Sequence, residues 1–361
     1  MKKLKAGIVG ATGLVGQQFV AALQDHPWFA IERLAASERS ANQTYGSALK
    51  DPRTGATRWY CEGFPKQEVL ELQVENASGM DCSNLDVIFS GVEADVALKL
   101  EPEYAKNTPV ISTAAAFRYD EDTPILIPAV NDQHAEMVRR QQERRGWQGF
   151  IVPTANCTTT GLAITLKPIK DAFGIDIVIM TSMQAVSGAG RSPGVLALDI
   201  IDNVIPFIPR EEEKVQSETL KILGEYRDGK IVPPDMKVSC TCTRVNVSDG
   251  HTEAVYVSTK KGCEVEDVKE AFRKFNEEHA KSKLPSSPRE MIVITDDPFR
   301  PQPKLDRDNY GGMATTVGRL RKDIALERGI KYVLVSHNTK IGASKGAVMV
   351  AELLVDKGYI K

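Results

Sequence analysis

One cysteine of the chain stands among small polar residues, in the segment TANCTTTGLAITLKPI that runs from Thr154 to Ile169. The apolar run after it predicts a helix, so Cys157 would lie in the first turn of that helix. The helix dipole and the free backbone N–H groups at such a position stabilise a thiolate. The Asn156 amide could steady a developing oxyanion. The pattern therefore indicates a nucleophile that forms thioesters, and a buried, inert cysteine is the alternative.

A thiol nucleophile needs a general base, and the chain offers five histidines. His26 and His134 fall on predicted helices or loops of the first half, and His279 falls on a charged helix. His251, in TRVNVSDGHTEAVYVS, could be presented by a β-hairpin, whereas His337 ends a late predicted strand. The spacing alone leaves His251 and His337 as alternatives for the base.

Glycines recur at regular spacing in GIVGATGLVGQQF, near the start of the chain. Gly10, Gly13 and Gly16 follow a predicted buried strand and precede a segment with helical periodicity. Glycines there let the backbone turn tightly and approach a pyrophosphate, which then lies at the helix N-terminus. The pattern predicts a dinucleotide-binding turn, and a tight turn in some other α/β protein is the alternative.

The end of the second predicted strand helps to identify the dinucleotide. NAD-binding proteins usually carry an acidic residue there, which holds the ribose hydroxyls. Here the strand ends in LAASERS, and Arg39 with Ser37 and Ser40 suits a ribose phosphate. Glu38 favours the alternative of a charged loop. The segment favours NADP, and a thiolate beside its nicotinamide would interconvert an aldehyde and an acyl derivative through a thioester.

Two regions with different patterns must position these residues. Up to about Pro153, short apolar strands alternate with helical segments, which predicts a parallel, doubly wound sheet. Beyond it, long alternating segments such as DIVIMTSMQAVSG, MKVSCTCTRVNVS and HTEAVYVSTKK predict a mixed or antiparallel sheet. The sequence therefore predicts an α/β protein, in which a Rossmann-like dinucleotide domain precedes an α/β domain with a mixed sheet.

The composition argues against several classes of function. The chain has 361 residues, 26% of them charged, and a net charge of -2, so neither nucleic acid nor an anionic membrane is favoured as a partner. No window of about 18 apolar residues predicts a transmembrane helix. The six cysteines lack CxxC and zinc-site spacing. We therefore expect no metal site, and reduced thiols in the cytoplasm.

Several segments, in order along nearly the whole chain, together resemble the aspartate-semialdehyde dehydrogenase family, in its archaeal and fungal branch. They are GATGLVGQQF, AASERS, STAAAFR, ANCTTTGLAITLKPI, MQAVSGAGRSPG, DNVIPFIPREEEKVQSETLKIL, TRVNVSDGH and SHNTKIGAS. The resemblance implies reduction of L-aspartyl 4-phosphate with NADPH, which yields phosphate and L-aspartate 4-semialdehyde for lysine, threonine and methionine biosynthesis. One departure is Arg191, because an aromatic residue often follows SGAG in that branch.

The resemblance also implies a role for each residue that matches a family motif. Cys157 would form the acyl-thioester, His251 would be the acid/base, and Gln184 would orient the thioester, with Asn156 helping to position it. The residues implied in substrate binding are Arg244 for the α-carboxylate, Glu218 for the ammonium group, and Lys221 and Arg118 for the phosphate. The residues implied in cofactor binding are Gly10, Thr12, Gly13, Leu14, Val15, Gly16, Ser37, Arg39, Ser40, Ser90, Gly91, Ala114, Ser187, Gly188 and Asn338.

A division into domains and self-association follow from the same resemblance. Residues 1–155, completed by the C-terminal helix 339–361, would bind NADP, and residues 156–338 would form the catalytic and dimerisation domain. The family forms homodimers or homotetramers. The segment SPGVLALDIIDNVIPFI is apolar enough to contribute to a subunit contact, or equally to a core.

Other functions fit parts of the same pattern. Malonyl-CoA reductase shares the fold, NADPH and a cysteine thioester, but it lacks an asparagine before the nucleophile, and Asn156 is present here. N-acetylglutamyl-phosphate reductase is a more distant relative. A non-catalytic NADP-binding regulator predicts loss of Cys157, His251 or Arg244, and all three are present. A cysteine hydrolase would need no dinucleotide turn.

Overall fold

Short strands form a seven-stranded sheet in the first half of the chain. The computed structural model describes residues 2–190 and 194–361. The strands of this sheet are β1 (Leu4–Val9), β2 (Phe29–Ala36), β3 (Gln43–Thr44), β4 (Gln73–Asn76), β5 (Val87–Ser90), β6 (Val110–Ser112) and β7 (Ile151–Pro153). The helices of this half are α1 (Leu14–Leu23), α2 (Tyr45–Ala48), α3 (Gln67–Leu70), α4 (Ala94–Ala105) and α5 (Met137–Arg145). In space the strands run β3-β4-β2-β1-β5-β6-β7, and all neighbours are parallel except β3 with β4.

The central strands of this sheet are buried on both faces, as helices on either side require. The last four residues of β1 are buried, and so is all of β5. The helix α1 buries Phe19, Val20 and Leu23 in the same core. The predicted parallel, doubly wound sheet is confirmed. The sequence pattern misses β3, β4 and β7, because strands of so few residues show no recognisable alternation.

A second seven-stranded sheet follows, and it is mixed. The strands of the second half are β8 (Ile175–Gln184), β9 (Val204–Ile205), β10 (Glu225–Arg227), β11 (Lys230–Val232), β12 (Lys237–Val245), β13 (His251–Thr259), β14 (Ile292–Ile294), β15 (Thr315–Lys322) and β16 (Gly329–Ser336). The sheet has the order β14-β15-β16-β13-β8-β12-β9, while β10 and β11 pair with each other. Its parallel pairs are β12 with β8 and β14 with β15, which confirms the predicted mixed sheet.

Six helices lie in the described residues of the second half of the chain. They are α6 (Cys157–Phe173), α7 (Ala197–Ile200), α8 (Glu211–Ile222), α9 (Val265–His279), α10 (Pro303–Asp306) and α11 (Ser344–Asp356). Short 3-10 turns occur at Glu38–Ser40, Ala77–Gly79, Asp132–Glu136, Val186–Ala189 and Asn309–Gly312. None of the described helices is long and apolar enough to span a membrane.

The helix α6 is the centre of the second core. Every residue from Thr158 to Leu166 is buried, and the helix packs on the sheet and against α8 and α9. Gly161 allows α6 to lie close to β16, because a Cβ at this position would be only 2.8 Å from the Cβ of Ser336 in that strand. One edge of the sheet carries the end of β8, the end of β12 and the start of β13. The strands therefore bring residues from distant parts of the sequence to the N-terminus of α6.

The last helix returns to the first half of the molecule. α11 packs against α1, β5 and β6, and Ala347, Val348 and Val350 belong to the core that also contains β1 and β2. The core around α6 includes Ile125 and Ile127 from the first half. The proposed division into residues 1–155 with 339–361 and residues 156–338 stays a prediction.

Candidate active site

Backbone geometry at the turn after β1 requires glycine at two positions. Gly10 has a φ of +81°, and a Cβ on it would lie 2.6 Å from the carbonyl oxygen of Gly91. A Cβ on Gly16 would lie 2.1 Å from the Gly10 carbonyl oxygen. Gly13 is the N-cap of α1, and the first N–H groups of a helix have no partner within it. The residues of the turn and of the start of α1 are Thr12, Gly13, Leu14 and Val15. The free N–H groups at such a helix N-terminus suit the binding of a pyrophosphate.

The end of β2 carries the residues expected at the ribose. Ser37 and Arg39 are exposed and Ser40 is half-buried, in and beside the 3-10 turn that starts at Glu38. Within the described part of the chain, no acidic side chain forms an ion pair with the Arg39 guanidinium. Its charge is therefore available to a phosphate group.

Neighbouring strand ends complete this edge of the first sheet. The Gly91 N–H, after β5, donates to the Val9 carbonyl at 2.9 Å. The Ala114 N–H, after β6, donates to the Ser112 hydroxyl at 3.1 Å. Ser90 ends β5 and is buried. These residues lie at the carboxyl ends of β5, which is beside β1, and of β6, which is the next strand. The carboxyl ends of parallel strands are where open α/β sheets bind ligands.

Asn156 is the N-cap of the helix that starts at Cys157. Its Oδ1 accepts hydrogen bonds from the N–H groups of Thr158 and Thr159 at 2.9 and 3.2 Å. Its Nδ2 donates to Glu211 Oε1 at 2.9 Å. Both ends of the amide are thus engaged by the protein. A role in holding an oxyanion would require Nδ2 to exchange its partner.

Of the two histidines that the spacing left open, the structure places His251 beside the thiol. His251 Nε2 lies 3.1 Å from Cys157 Sγ. His337 Nε2 instead lies 3.6 Å from Asp308 Oδ1, in a separate group of charges with Lys340. The other ring nitrogen of His251, Nδ1, accepts the Ala185 N–H at 3.1 Å. The neutral ring therefore carries its proton on Nε2, facing the sulfur.

The thiol and the imidazole are both neutral in this environment. Burial raises the pKa of the Cys157 thiol to about 12, with a further contribution from Glu211, while Arg244 and Arg118 oppose the rise. Burial also lowers the pKa of the His251 imidazole to about 3, and the charge of Arg244 adds to this. The expected helix-tip thiolate is thus opposed by burial, which outweighs the helix terminus here. Proton transfer between the two groups must accompany substrate binding or reaction.

Two more predicted residues lie at the same sheet edge. Arg244 is buried and donates from Nη1 to the Ala185 carbonyl at 2.7 Å, and no carboxylate of the described residues forms an ion pair with it. Gln184 is buried and donates from Nε2 to Ser182 Oγ at 3.2 Å. Gly188 leaves room for this group, because a Cβ there would lie 2.9 Å from Arg244 Nη1 and 3.2 Å from His251 Cε1. An unpaired buried guanidinium suits a carboxylate ligand.

The predicted ammonium and phosphate residues form one network. Glu218 Oε1 accepts from Arg118 Nη1 at 3.0 Å and from Tyr119 Oη at 3.3 Å. Its Oε2 accepts the Asn156 N–H at 2.6 Å. Lys221 Nζ donates to the carbonyl oxygens of Arg118 and Asp120 at 2.7 and 2.9 Å. Burial lowers the pKa of Lys221 to about 8, so the ammonium stays largely charged at neutral pH.

The amide of Asn338 links two loops around His251. Its Nδ2 donates to Ser187 Oγ at 2.8 Å, and its Oδ1 accepts the Gly250 N–H at 2.8 Å. Arg191, the departure from the family pattern, lies outside the described residues. No group of three or more potential metal ligands occurs in the part of the chain that the structure describes.

Two contributors to the site escape the sequence pattern. Ala185 acts only through its backbone, which no residue type reveals. Glu211 lies seven residues before Glu218, and that spacing places both carboxylates on one face of α8. This periodicity is the signal that could have identified Glu211 within the acidic run REEEK.

Comparisons with known proteins agree with this geometry. Two family profiles match the chain: the semialdehyde dehydrogenase NAD binding domain over residues 5–138, and the semialdehyde dehydrogenase dimerisation domain over residues 166–341. The aspartate-semialdehyde dehydrogenase of Methanothermobacter thermautotrophicus is 44% identical over 351 residues, which are 97% of this chain and 99% of that protein. That of Archaeoglobus fulgidus is 43% identical over an alignment of 362 positions, which covers 99% of this chain and 100% of that protein.

A solved structure extends the similarity to the fold. The aspartate semialdehyde dehydrogenase of Candida albicans, determined with NADP, has a TM-score of 0.87 and 37% sequence identity. The match covers 99% of this chain and 100% of that chain. The predicted resemblance to the archaeal and fungal branch is confirmed, and so is NADP as the predicted cofactor.

Proposed function

The chain belongs to the aspartate-semialdehyde dehydrogenase family, and on that premise we propose how its own residues reduce L-aspartyl 4-phosphate to L-aspartate 4-semialdehyde. The observation that carries the proposal is the 3.1 Å contact between Cys157 Sγ and His251 Nε2. The pair lies beside Arg244, a buried cation that no described carboxylate pairs with. A nucleophile, a proton carrier and a carboxylate receptor thus converge on one point.

The backbone of the proposed cofactor residues supports the binding of a dinucleotide. The turn at Gly10 and Gly16 has no room for a Cβ, as expected where a pyrophosphate must approach the main chain. Arg39 would hold the ribose phosphate with Ser37 and Ser40. NADPH, when bound, supplies the hydride that reduces the thioester. The remaining residues proposed to line the cofactor cleft are Thr12, Gly13, Leu14, Val15, Ser90, Gly91, Ala114, Ser187, Gly188 and Asn338.

The substrate groups are assigned to charged residues that converge near Cys157. Arg244 would bind the α-carboxylate in a bidentate manner, and Glu218 would receive the ammonium group. Arg118 and Lys221 would hold the phosphate. The Nε atom of Arg118 is buried without a hydrogen-bond partner among the described residues, so it has a donor to offer to a phosphate oxygen.

The reaction begins from the His251 tautomer that carries its proton on Nδ1, a form that must give up the hydrogen bond from the Ala185 N–H. Nε2 of that ring takes the thiol proton, and Cys157 Sγ attacks the acyl carbon. The carbon–oxygen bond to phosphate breaks, phosphate leaves and a thioester forms, which Gln184 would orient. Reduction gives a thiohemiacetal, whose oxygen takes the proton from His251. That proton returns to the ring as the carbon–sulfur bond breaks and the aldehyde leaves. When both nitrogens of the His251 ring are protonated, the Nδ1–H faces the Ala185 N–H, which is also a donor. This unfavourable contact makes the protonated ring a strong acid.

The direct test is phosphate-dependent reduction of NADP by aspartate semialdehyde, followed by NADPH absorbance. We expect absorbance to rise only when phosphate is present. Oxidation of NADPH by malonyl-CoA, with no signal from aspartate semialdehyde, would instead identify a malonyl-CoA reductase. Cys157→Ser should abolish turnover and preserve NADP binding, because a hydroxyl is a far weaker nucleophile than a thiolate.

Assembly and compartment extend the same proposal. The chain matches a dimerisation domain, and we propose a homodimer or homotetramer. All six cysteines are free thiols, which agrees with the expected cytoplasmic location. The assignment of residues 1–155 with 339–361 to NADP and of residues 156–338 to catalysis and dimerisation belongs to this proposal.

A further inference from the structure

The carboxylate of Glu211 lies behind the candidate nucleophile and has no role in the reaction described above. It belongs to the first residue of α8, and only 6% of the residue is exposed. Its Oε1 accepts a hydrogen bond from Asn156 Nδ2 at 2.9 Å, and its Oε2 lies 3.5 Å from Lys214 Nζ. Burying a charged group is costly unless it is paired and hydrogen-bonded. The buried Glu211 carboxylate contacts Asn156, the residue next to Cys157.

Asn156 is held from three directions, and α8 provides two of them. Its backbone N–H donates to Glu218 Oε2 at 2.6 Å, and its Nδ2 donates to Glu211. Its Oδ1 is then left facing the first turn of α6, where it caps the N–H groups of Thr158 and Thr159. The orientation of the cap, and hence the path of the chain at Cys157, depends on both carboxylates.

We propose that Glu211 is a positioning residue for the reaction, which fixes Asn156 at the N-terminus of α6 and places a negative charge beside the Cys157 thiol. The inference rests on the proposed role of Cys157 as nucleophile. The charge adds to the effect of burial, which is the main reason that the thiol is neutral in the free enzyme. Ionisation is then coupled to proton transfer to His251 rather than to loss of a proton to solvent.

Charged and titratable side chains from each element that packs around Cys157 influence the ionisation of its thiol. His251 faces it from β13 and Arg244 from β12, while Arg118 approaches from the segment after β6. From α8, Glu211 favours the neutral thiol, and Lys214 partly offsets that carboxylate. Glu218, also on α8, is hydrogen-bonded to Arg118 and to Asn156. Without Glu211 no carboxylate would oppose Arg244 and Arg118, so the thiolate would form at a lower pH, although burial would still favour the neutral thiol.

Two substitutions separate the charge of Glu211 from its hydrogen bond. Glu211→Gln removes the charge but keeps an oxygen that can accept from Asn156 Nδ2, whereas Glu211→Ala removes both. Glu213→Gln is the matched control, because Glu213 lies in the same turn of α8 but is exposed. The readout is the rate at which iodoacetamide alkylates Cys157, mapped by peptide mass, together with kcat.

The two variants should separate the two contributions. In Glu211→Gln, Cys157 should be alkylated about two- to fivefold faster near pH 8, since more thiolate forms but each thiolate is less nucleophilic. Glu211→Ala should lose about tenfold or more in kcat, because a misplaced nucleophile reacts slowly. Glu211→Gln should restore most of that loss. Glu213→Gln should match the wild type in both measurements.

The outcomes distinguish this inference from the function on which it rests. An alkylation profile in Glu211→Gln that equals that of Glu213→Gln would overturn the electrostatic role. A wild-type kcat in folded Glu211→Ala would overturn the positioning role, and Glu211→Gln alone decides the case if the alanine variant does not fold. Turnover that survives in Cys157→Ser would instead refute the role of Cys157 as nucleophile. That measurement is independent of the alkylation rates of the Glu211 and Glu213 variants, so the two failures can be distinguished.

Discussion

Single residues of the site show how burial and charge compete. A cysteine at a helix N-terminus is expected to ionise readily, but the pKa of the Cys157 thiol is raised to about 12 by burial. The motif ANCTTTG reveals the helix start and the residue type, yet it carries no information on how deeply the sulfur lies. The chemistry of the residue could be predicted from the sequence, whereas its charge state required the surrounding structure.

His251 should be required for the chemical step and His337 should not. The imidazole of His251 lies 3.1 Å from the thiol and can cycle a proton, whereas an amide cannot. His251→Asn should therefore lower kcat by about 10²- to 10⁴-fold and alter the pH profile of kcat/KM. His337→Asn is the matched control, since its ring interacts with Asp308 instead. The opposite pattern in the two variants would transfer the acid/base role to His337.

Arg39 should determine the preference for NADP over NAD. Its exposed guanidinium has no ion-pair partner among the described residues, so it is free to bind the ribose phosphate. Arg39→Ala should weaken the use of NADP by roughly 1.5–3 kcal/mol, the range for a hydrogen bond to a charged group, and leave NAD nearly unaffected. The measurement is the ratio of kcat/KM for the two cofactors. An unchanged ratio would show that Arg39 is only a surface charge.

Lys221 should make phosphate binding sensitive to pH. Burial lowers the pKa of its ammonium to about 8, so the positive charge is present below that pH and is lost above it. In the phosphate-dependent reduction of NADP by aspartate semialdehyde, the KM for phosphate should rise above pH 8. Well above that pH, the KM should increase about tenfold for each pH unit. Lys221→Arg keeps its charge at all these pH values and controls for the ionisation of phosphate itself. Identical pH profiles would remove Lys221 from the phosphate site.

At the scale of helices and strands, periodicity predicts much of what the structure contains. The long segments that became β8, β12 and β13 show clear alternation, and the turn between β1 and α1 has a recognisable glycine pattern. The order of these strands, β13-β8-β12, is not visible in any local pattern. That order nevertheless brings His251, Gln184 and Arg244 to one edge, so the site itself depends on tertiary pairing.

Glu253, two residues after His251 on β13, should make the stability of the fold depend on pH. It is fully buried, and neither carboxylate oxygen has a hydrogen-bond partner among the described residues. Burial raises its pKa well above the ordinary value, so the folded state keeps a proton that the unfolded chain releases near pH 4.3. The contribution of this carboxyl to stability is then largest below that pH and falls as pH rises, by at most about 1.4 kcal/mol per pH unit.

Glu253→Gln removes this proton linkage. The urea midpoint of the variant should exceed that of the wild type at pH 8, and the difference should shrink toward pH 5. Glu277→Gln, at an exposed position on α9, is the control for the loss of one negative charge. Parallel pH dependence of the wild type and the Glu253 variant would mean that the buried carboxyl does not titrate between the folded and unfolded states.

For the whole molecule, the two halves are joined by contacts that no local sequence pattern predicts. His26, after α1, donates from Nε2 to Glu352 Oε1 on α11 at 2.7 Å, since its Nδ1 accepts the N–H groups of Trp28 and Phe29. The backbone N–H of Ser286 donates to the same carboxylate. A histidine of this kind resembles a catalytic candidate by type alone. Only its burial and partners identify it as part of the structure that holds α11 in place.

The segment around α7 should form a contact between subunits. Its large apolar side chains point outward, and Leu198 is 92% exposed. The other exposed apolar residues in the segment are Leu196, Ile201, Val204 and Phe207. Val204 belongs to β9, the edge strand of the second sheet, and the others flank it in sequence. All lie within the region that matches a dimerisation domain. So many large exposed apolar side chains in one short segment mark an interface more often than a free surface.

The combined substitution of Leu198→Asp and Ile201→Asp should therefore dissociate the oligomer. Two unpaired carboxylates in an apolar interface must lose their hydration, a cost of several kcal/mol that raises the dissociation constant by about 100-fold or more. Sedimentation velocity over a range of protein concentrations measures the change. Ile324→Asp is the control, because Ile324 is 98% exposed and lies far along the sequence from this segment. If the double variant sediments like the wild type, as the control should, these apolar side chains do not join the subunits and another surface does.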